Sequence, residues 1–100
     1  MTEDARELEI YIGNTHAAWA RVEAIARNYE RKRAKGTYNS TLAAKGFAYL
    51  VRDAAHMYSR EFSTGRDGMA LFPRAVRDEV CAALRDNLEA EWSAGNYWSA

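Results

Sequence analysis

Apolar residues recur in this chain at intervals of three and four, in three separate runs. That spacing lays a stripe along one side of an α-helix, whereas a half-buried strand needs strict alternation. The first run is Ala18, Trp19, Val22, Ile25, Ala26 and Tyr29. The second is Leu42, Ala43, Phe47, Leu50, Val51, Ala54, Met57 or Tyr58, and Phe62. The third is Val76, Val80, Ala83, Leu84, Leu88 and Trp92. Stop and start signals bracket each run. Asn14 or Thr15 and then Asn39 or Ser40 are suited to accept an orphan backbone N–H as N-caps. Gly36 and Gly95 supply C-terminal stops, and Pro73 fits a first helical position. Helices are therefore predicted over about 15–35, 40–62 and 73–94. They form a small all-α bundle of three main helices within one domain, residues 1–100.

Three places test that description. Leu8-Glu9-Ile10-Tyr11-Ile12 alternates like a strand, yet Leu8, Tyr11 and Ile12 also share a helical face. A lone strand has no pairing partner, so residues 5–12 are expected to form a short N-terminal helix. Gly46 sits inside the second run, where it costs about 1 kcal/mol relative to Ala. With Ala43, Ala44 and Ala48 it makes a small-residue surface suited to close helix packing, within the chain or against a second copy, so a homodimer is open. Ser63-Thr64-Gly65-Arg66-Asp67-Gly68 reads as a loop. Tyr97 and Trp98 are expected to fold back onto the bundle.

The formal net charge is zero, so an electrostatic partner has to be recognised by a local patch. One cysteine, Cys81, excludes an intrachain disulfide and fits a reducing compartment. The start, Met1-Thr2-Glu3-Asp4, is acidic and no apolar run follows, unlike a secretory signal. No stretch approaches the ~18 apolar residues of a membrane span. A cytoplasmic protein is expected, with no membrane partner.

Catalytic and metal chemistry find little support. His16, His56 and Cys81 lie on three different predicted helices, without the paired spacing of a zinc site. Cys81 sits within the third helix beside its apolar stripe, not at a helix N-terminus where a thiolate is stabilised. No nucleophile elbow, phosphate-binding glycine loop or dinucleotide fingerprint occurs. Asp78 with Glu79, and Glu89 with Glu91, are too close in sequence to converge on a helix; Asp78 is placed to meet Arg74, and Glu89 to meet Arg85. The expectation is a non-enzymatic protein with no metal and no cofactor.

Charge distribution carries the functional signal. From Arg21 to Gly36 six cations (Arg21, Arg27, Arg31, Lys32, Arg33, Lys35) stand against two anions (Glu23, Glu30), an excess of +4. Across Val76 to Trp92, Arg77 and Arg85 stand against Asp78, Glu79, Asp86, Glu89 and Glu91, an excess of −3. Such a basic helix end can contact phosphates or an acidic protein surface; it also offsets the helix dipole. Arg27, Arg31, Lys32, Arg33, Lys35 and Tyr38 are the candidate partner-binding residues, since exposed aromatics beside cations mark interaction surfaces.

Arg31-Lys32-Arg33-Ala34-Lys35-Gly36-Thr37-Tyr38, followed by Ala44-Lys45-Gly46-Phe47-Ala48-Tyr49-Leu50-Val51 and Ala54-Ala55-His56-Met57-Tyr58, resembles a family of small uncharacterised phage and mobile-element proteins. Glu9-Ile10-Tyr11-Ile12 upstream and Gly95-Asn96-Tyr97 downstream extend the resemblance over about residues 8–97. The resemblance implies an accessory protein acting by protein binding, of the kind that inhibits host defence, as anti-CRISPR proteins do. The partner implied is a host protein or ribonucleoprotein complex; direct nucleic-acid binding by the basic helix end is the alternative.

Overall fold

The computed structural model describes residues 1–95, all six of whose regular elements are helical. They are α1 (Glu3–Asn14), α2 (His16–Ala34), α3 (Ser40–Gly46), α4 (Ala48–Glu61), the single turn α5 (Gly68–Leu71) and α6 (Arg74–Ser93). The expected backfolding of Tyr97 and Trp98 lies outside the described residues.

The segment that alternates like a strand is a full helix. Thr2 caps it, its hydroxyl accepting the Ala5 N–H at 3.2 Å, and Glu3 and Asp4 occupy the first turn where the macrodipole favours acids. Ala5, Leu8, Tyr11 and Ile12 are buried. A one-residue corner at Thr15 leads into α2. Thr15 does not cap α2 with its side chain; its hydroxyl instead donates to the Tyr11 carbonyl at 2.7 Å. At the far end of α2, Gly36 takes φ +74°. Its N–H donates to the Arg33 carbonyl at 3.0 Å, and the Thr37 N–H donates to the Lys32 carbonyl at 2.9 Å. These two bonds close the helix in a Schellman arrangement that only glycine enters without steric cost.

The helix predicted over 40–62 is two helices. Asn39 caps α3 through the Leu42 N–H at 3.0 Å, and the chain tightens at Phe47, whose N–H bonds back three residues to the Ala44 carbonyl. Phe47 is fully buried at this joint. Gly46 immediately precedes the joint and makes room for a side chain of α2. A Cβ there would lie 1.8 Å from the Tyr29 hydroxyl oxygen and 2.8 Å from its ring. The small residue therefore admits a buried tyrosine of α2, not the backbone of another helix. The close backbone approach occurs elsewhere, where Gly68 at the start of α5 lies against the Ala55 carbonyl of α4.

The core is a triangle of α1, α4 and α6, each touching the other two, while α2 lies along α1 and α4. The chain is all-helical as expected; the N-terminal helix joins the centre, beside which α2 contributes Ala18, Val22, Ala26 and Tyr29 to the core. Leu8 and Ile12 of α1, Leu50 and Val51 of α4, and Val80 and Leu84 of α6 fill the centre. Burying such side chains contributes roughly 1.5–3 kcal/mol each relative to exposure. Aromatic clusters close both ends. Tyr11, Tyr58, Phe62 and Phe72 meet at one, mostly edge to face, and Tyr29, Tyr38, Phe47 and Trp92 at the other. Phe62 differs from its predicted place in the stripe: it caps α4 and is 56% exposed. No helix among the described residues is long and apolar enough to cross a membrane.

Candidate cationic binding surface

The six candidate residues at the end of α2 divide into two groups. Arg27, Arg31 and Lys35 stand four residues apart and so share one face of the helix, spanning about 12 Å along it. Arg31 and Lys35 are exposed and Arg27 is half-buried. None of these three has an ion-pair partner among the described residues. The dipole accounts for cations only in the last turn of a helix. Arg27 lies two turns from the end, so dipole compensation does not explain the whole row.

The other three are engaged with the protein itself. Lys32 lies over the Tyr29 ring at 5.7 Å, and the Arg33 guanidinium lies over the Trp92 ring at 5.0 Å. Tyr38 faces inward. Its hydroxyl donates to Glu89 Oε2 at 2.6 Å and its ring meets Trp92 edge-on at 4.8 Å. Burial, reinforced by that carboxylate, pushes the phenol pKa well above its usual value. Burial works against Glu89 ionisation, but hydrogen bonds from Ser40 and Tyr38 and the nearby Arg85 outweigh it and hold the carboxyl below its usual range. Arg33 and Tyr38 therefore dock the basic end of α2 onto α6.

A second cationic surface, distant in sequence from the first, lies between α3, the start of α4 and α6. It is an open groove of about 650 Å³. Lys45 and Arg52 line one wall, and Arg74, Arg77 and Arg85 the other. Asp78 is the only acid among the described lining residues, which together carry an excess of +4. The floor is small and neutral, formed by Ala44, Ala48 and Cys81. Burial and the nearby Asp78 push the Cys81 thiol up to about 11, which keeps it protonated at neutral pH. Tyr49 stands at the rim, 70% exposed, with the Arg52 guanidinium 5.0 Å from its ring centroid.

The region of α6 that is acidic by sequence thus turns a basic face to the groove. Of its five acids only Asp78 lines the groove. Glu79 accepts from the Thr2 hydroxyl at 2.6 Å, and Glu89 from Tyr38. The expected Arg74–Asp78 pair is present but long, at 3.8 Å on an exposed surface. The expected Arg85–Glu89 pair is replaced by Arg85 with its neighbour Asp86 at 3.0 Å. Lys45, Tyr49 and Arg52 recur at helical spacing on the polar side of the second apolar run. That recurrence is the signal in the sequence for this wall.

A third depression, of about 480 Å³, opens between α1 and the end of α4. Exposed Ile10 and Phe62 border it. Its carboxylates are occupied, Glu61 by the Tyr11 hydroxyl and Glu7 by the Tyr58 hydroxyl, both at 2.5 Å. His56 lies 3.6 Å from Asp67, and no cluster of three or more potential metal ligands occurs among the described residues. Compared with family models, curated proteins and solved structures, the chain matches none.

Proposed function

We propose that this chain is a non-enzymatic binding protein whose cationic surface captures an acidic macromolecular partner. The observation that carries this reading is the row Arg27, Arg31 and Lys35, like charges one helical turn apart and without acidic partners among the described residues. Like charges at this spacing destabilise a helix by roughly 0.2–0.5 kcal/mol per pair, and an external acidic surface would relieve that repulsion. Schellman closure at Gly36 and the Arg33 and Tyr38 contacts on α6 hold the row in place. On the resemblance to phage and mobile-element proteins, the partner is a host protein or ribonucleoprotein complex. Its capture would inhibit a defence machinery in the anti-CRISPR manner.

Immobilised protein would be used to capture partners from bacterial lysate, with bound proteins identified by mass spectrometry. The triple variant Arg27→Glu, Arg31→Glu and Lys35→Glu is expected to lose the partner while keeping the helical circular dichroism. Arg33 is left in place because it covers Trp92. A partner retained by the triple variant would refute the assignment.

A further inference from the structure

We propose that the groove between α3, α4 and α6 binds a short single-stranded segment of nucleic acid, with phosphates along its arginine wall and a base stacked on Tyr49. The groove is separate from the α2 row and stands or falls independently of it.

Four features converge there. The lining carries an excess of +4, although the chain as a whole is neutral. On α6, Arg74, Arg77, Cys81 and Arg85 recur at three and four residues, so the basic wall extends about 16 Å along one side of the helix. That length suits two or three nucleotides of an extended strand. The first turn of α6, beside the groove, holds Arg74 and Arg77 and no acid, so nothing in that turn offsets the positive end of the helix. The small floor of Ala44, Ala48 and neutral Cys81 adds no charge of its own, and Asp78, the one acid among the described lining residues, lies 3.8 Å from Arg74.

Tyr49 decides between nucleic acid and an acidic protein surface. It is the most exposed of the large hydrophobic side chains among the described residues. Leaving a tyrosine in water brings the fold no burial, whereas a ring flanked by cations is what base stacking uses. An acidic peptide would draw on the cations but gain little from the ring. The open, shallow shape also favours a single strand, whose bases can turn outward, over a rigid duplex.

Fluorescence anisotropy with labelled ten-nucleotide oligo(dT) and oligo(rU), a blunt duplex and a decaglutamate peptide tests the assignment. The single strands are expected to bind most tightly. With about three phosphates neutralised, log affinity should fall against log salt with a slope near −2, or about 16-fold weakening between 50 and 200 mM. Tyr49→Ala should weaken binding by roughly 5- to 100-fold, and Tyr49→Phe should restore it. Lys45→Glu with Arg74→Glu, one from each wall, should weaken binding and flatten the salt slope. Arg77 and Arg85 are spared because they hold the Phe72 carbonyl and Asp86. Arg31→Glu with Lys35→Glu should leave affinity within about twofold, a control for the separate α2 surface. Three results would overturn the proposal. They are no binding at 50 mM salt, binding that follows Arg31 and Lys35 and not the groove variants, or decaglutamate binding as tightly as the oligonucleotides with no effect of Tyr49→Ala.

Discussion

Gly68→Ala tests the packing of α5 on α4 more sharply than any core truncation. An ideal Cβ at Gly68 would lie 2.6 Å from the Ala55 carbonyl oxygen, 2.7 Å from its carbon and 2.8 Å from the His56 nitrogen. All three are backbone atoms in the middle of a helix, so no side chain can turn aside. Restoring an ordinary contact of about 3.4 Å moves α5 outward by roughly 0.8 Å. That displacement draws Phe72, which is 3% exposed, away from the Tyr58 ring it meets edge-on. Overpacking of this kind costs about 1–3 kcal/mol. Releasing α5 altogether would cost a similar amount, since burying a phenylalanine is worth roughly 1.5–3 kcal/mol. A loss of about 2–3 kcal/mol lowers Tm by about 10–20 °C in a domain of this length. Gly13→Ala is the matched control. Nothing among the described residues lies within 4 Å of the methyl that this substitution adds, and the φ of Gly13 is not positive, so it should gain a few tenths of a kcal/mol near the helix end. Thermal melts by circular dichroism compare the two. A Gly68→Ala protein melting within ~2 °C of wild type would refute the close-approach argument.

Tyr38→Phe removes the donor to Glu89 and should cost about 1–3 kcal/mol in urea denaturation at pH 7. Because that bond lowers the folded carboxyl pKa, its stabilisation is present above the unfolded value. The gap between variant and wild type should therefore close as pH falls through the folded carboxylate range, and a gap unchanged at pH 3 would contradict the assignment. Cys81 should resist thiol reagents: with a folded pKa of about 11, on the order of one thiol in a thousand is ionised at pH 8, against about a quarter in an unfolded chain. Native protein should thus react at least ~100-fold more slowly than protein in guanidinium, and comparable rates would show the groove floor to be open. The same raised value predicts stability lost as pH rises from about 9 toward 11, because ionisation then favours the unfolded chain.

The helices are legible in the sequence because their stripes and punctuation agree. Gly36 stops α2, Asn39 caps α3, and the predicted boundaries fall within a few residues of the observed ones. The break at Phe47 is not legible, because Ala43, Phe47, Leu50, Val51 and Ala54 keep one helical period across it. Only the Tyr29 ring, eighteen positions upstream of Phe47, requires the missing Cβ at Gly46. Tyr38 reads in sequence as a free aromatic for a related reason. Nothing local in Thr37-Tyr38-Asn39 reveals Glu89, fifty-one positions away, which turns the ring inward.

The groove shows why a neutral chain with one basic segment can present two basic surfaces. A window along the sequence sums every charge on a helix, although side chains about 100° apart around its axis face different surroundings. On α6 that sum is −3 from Val76 to Trp92, yet residues 74, 77, 78, 81 and 85 fall on one side, three arginines against one aspartate. Glu79 lies on another side, tied to Thr2 of the N-terminal helix cap. The opposing wall, Lys45 and Arg52, spans the joint at Phe47. Burial of Phe47 and the tyrosine seated against Gly46 thus help set the position of that wall against α6. The features that escape the linear reading of the fold are the same ones that shape its second cationic surface.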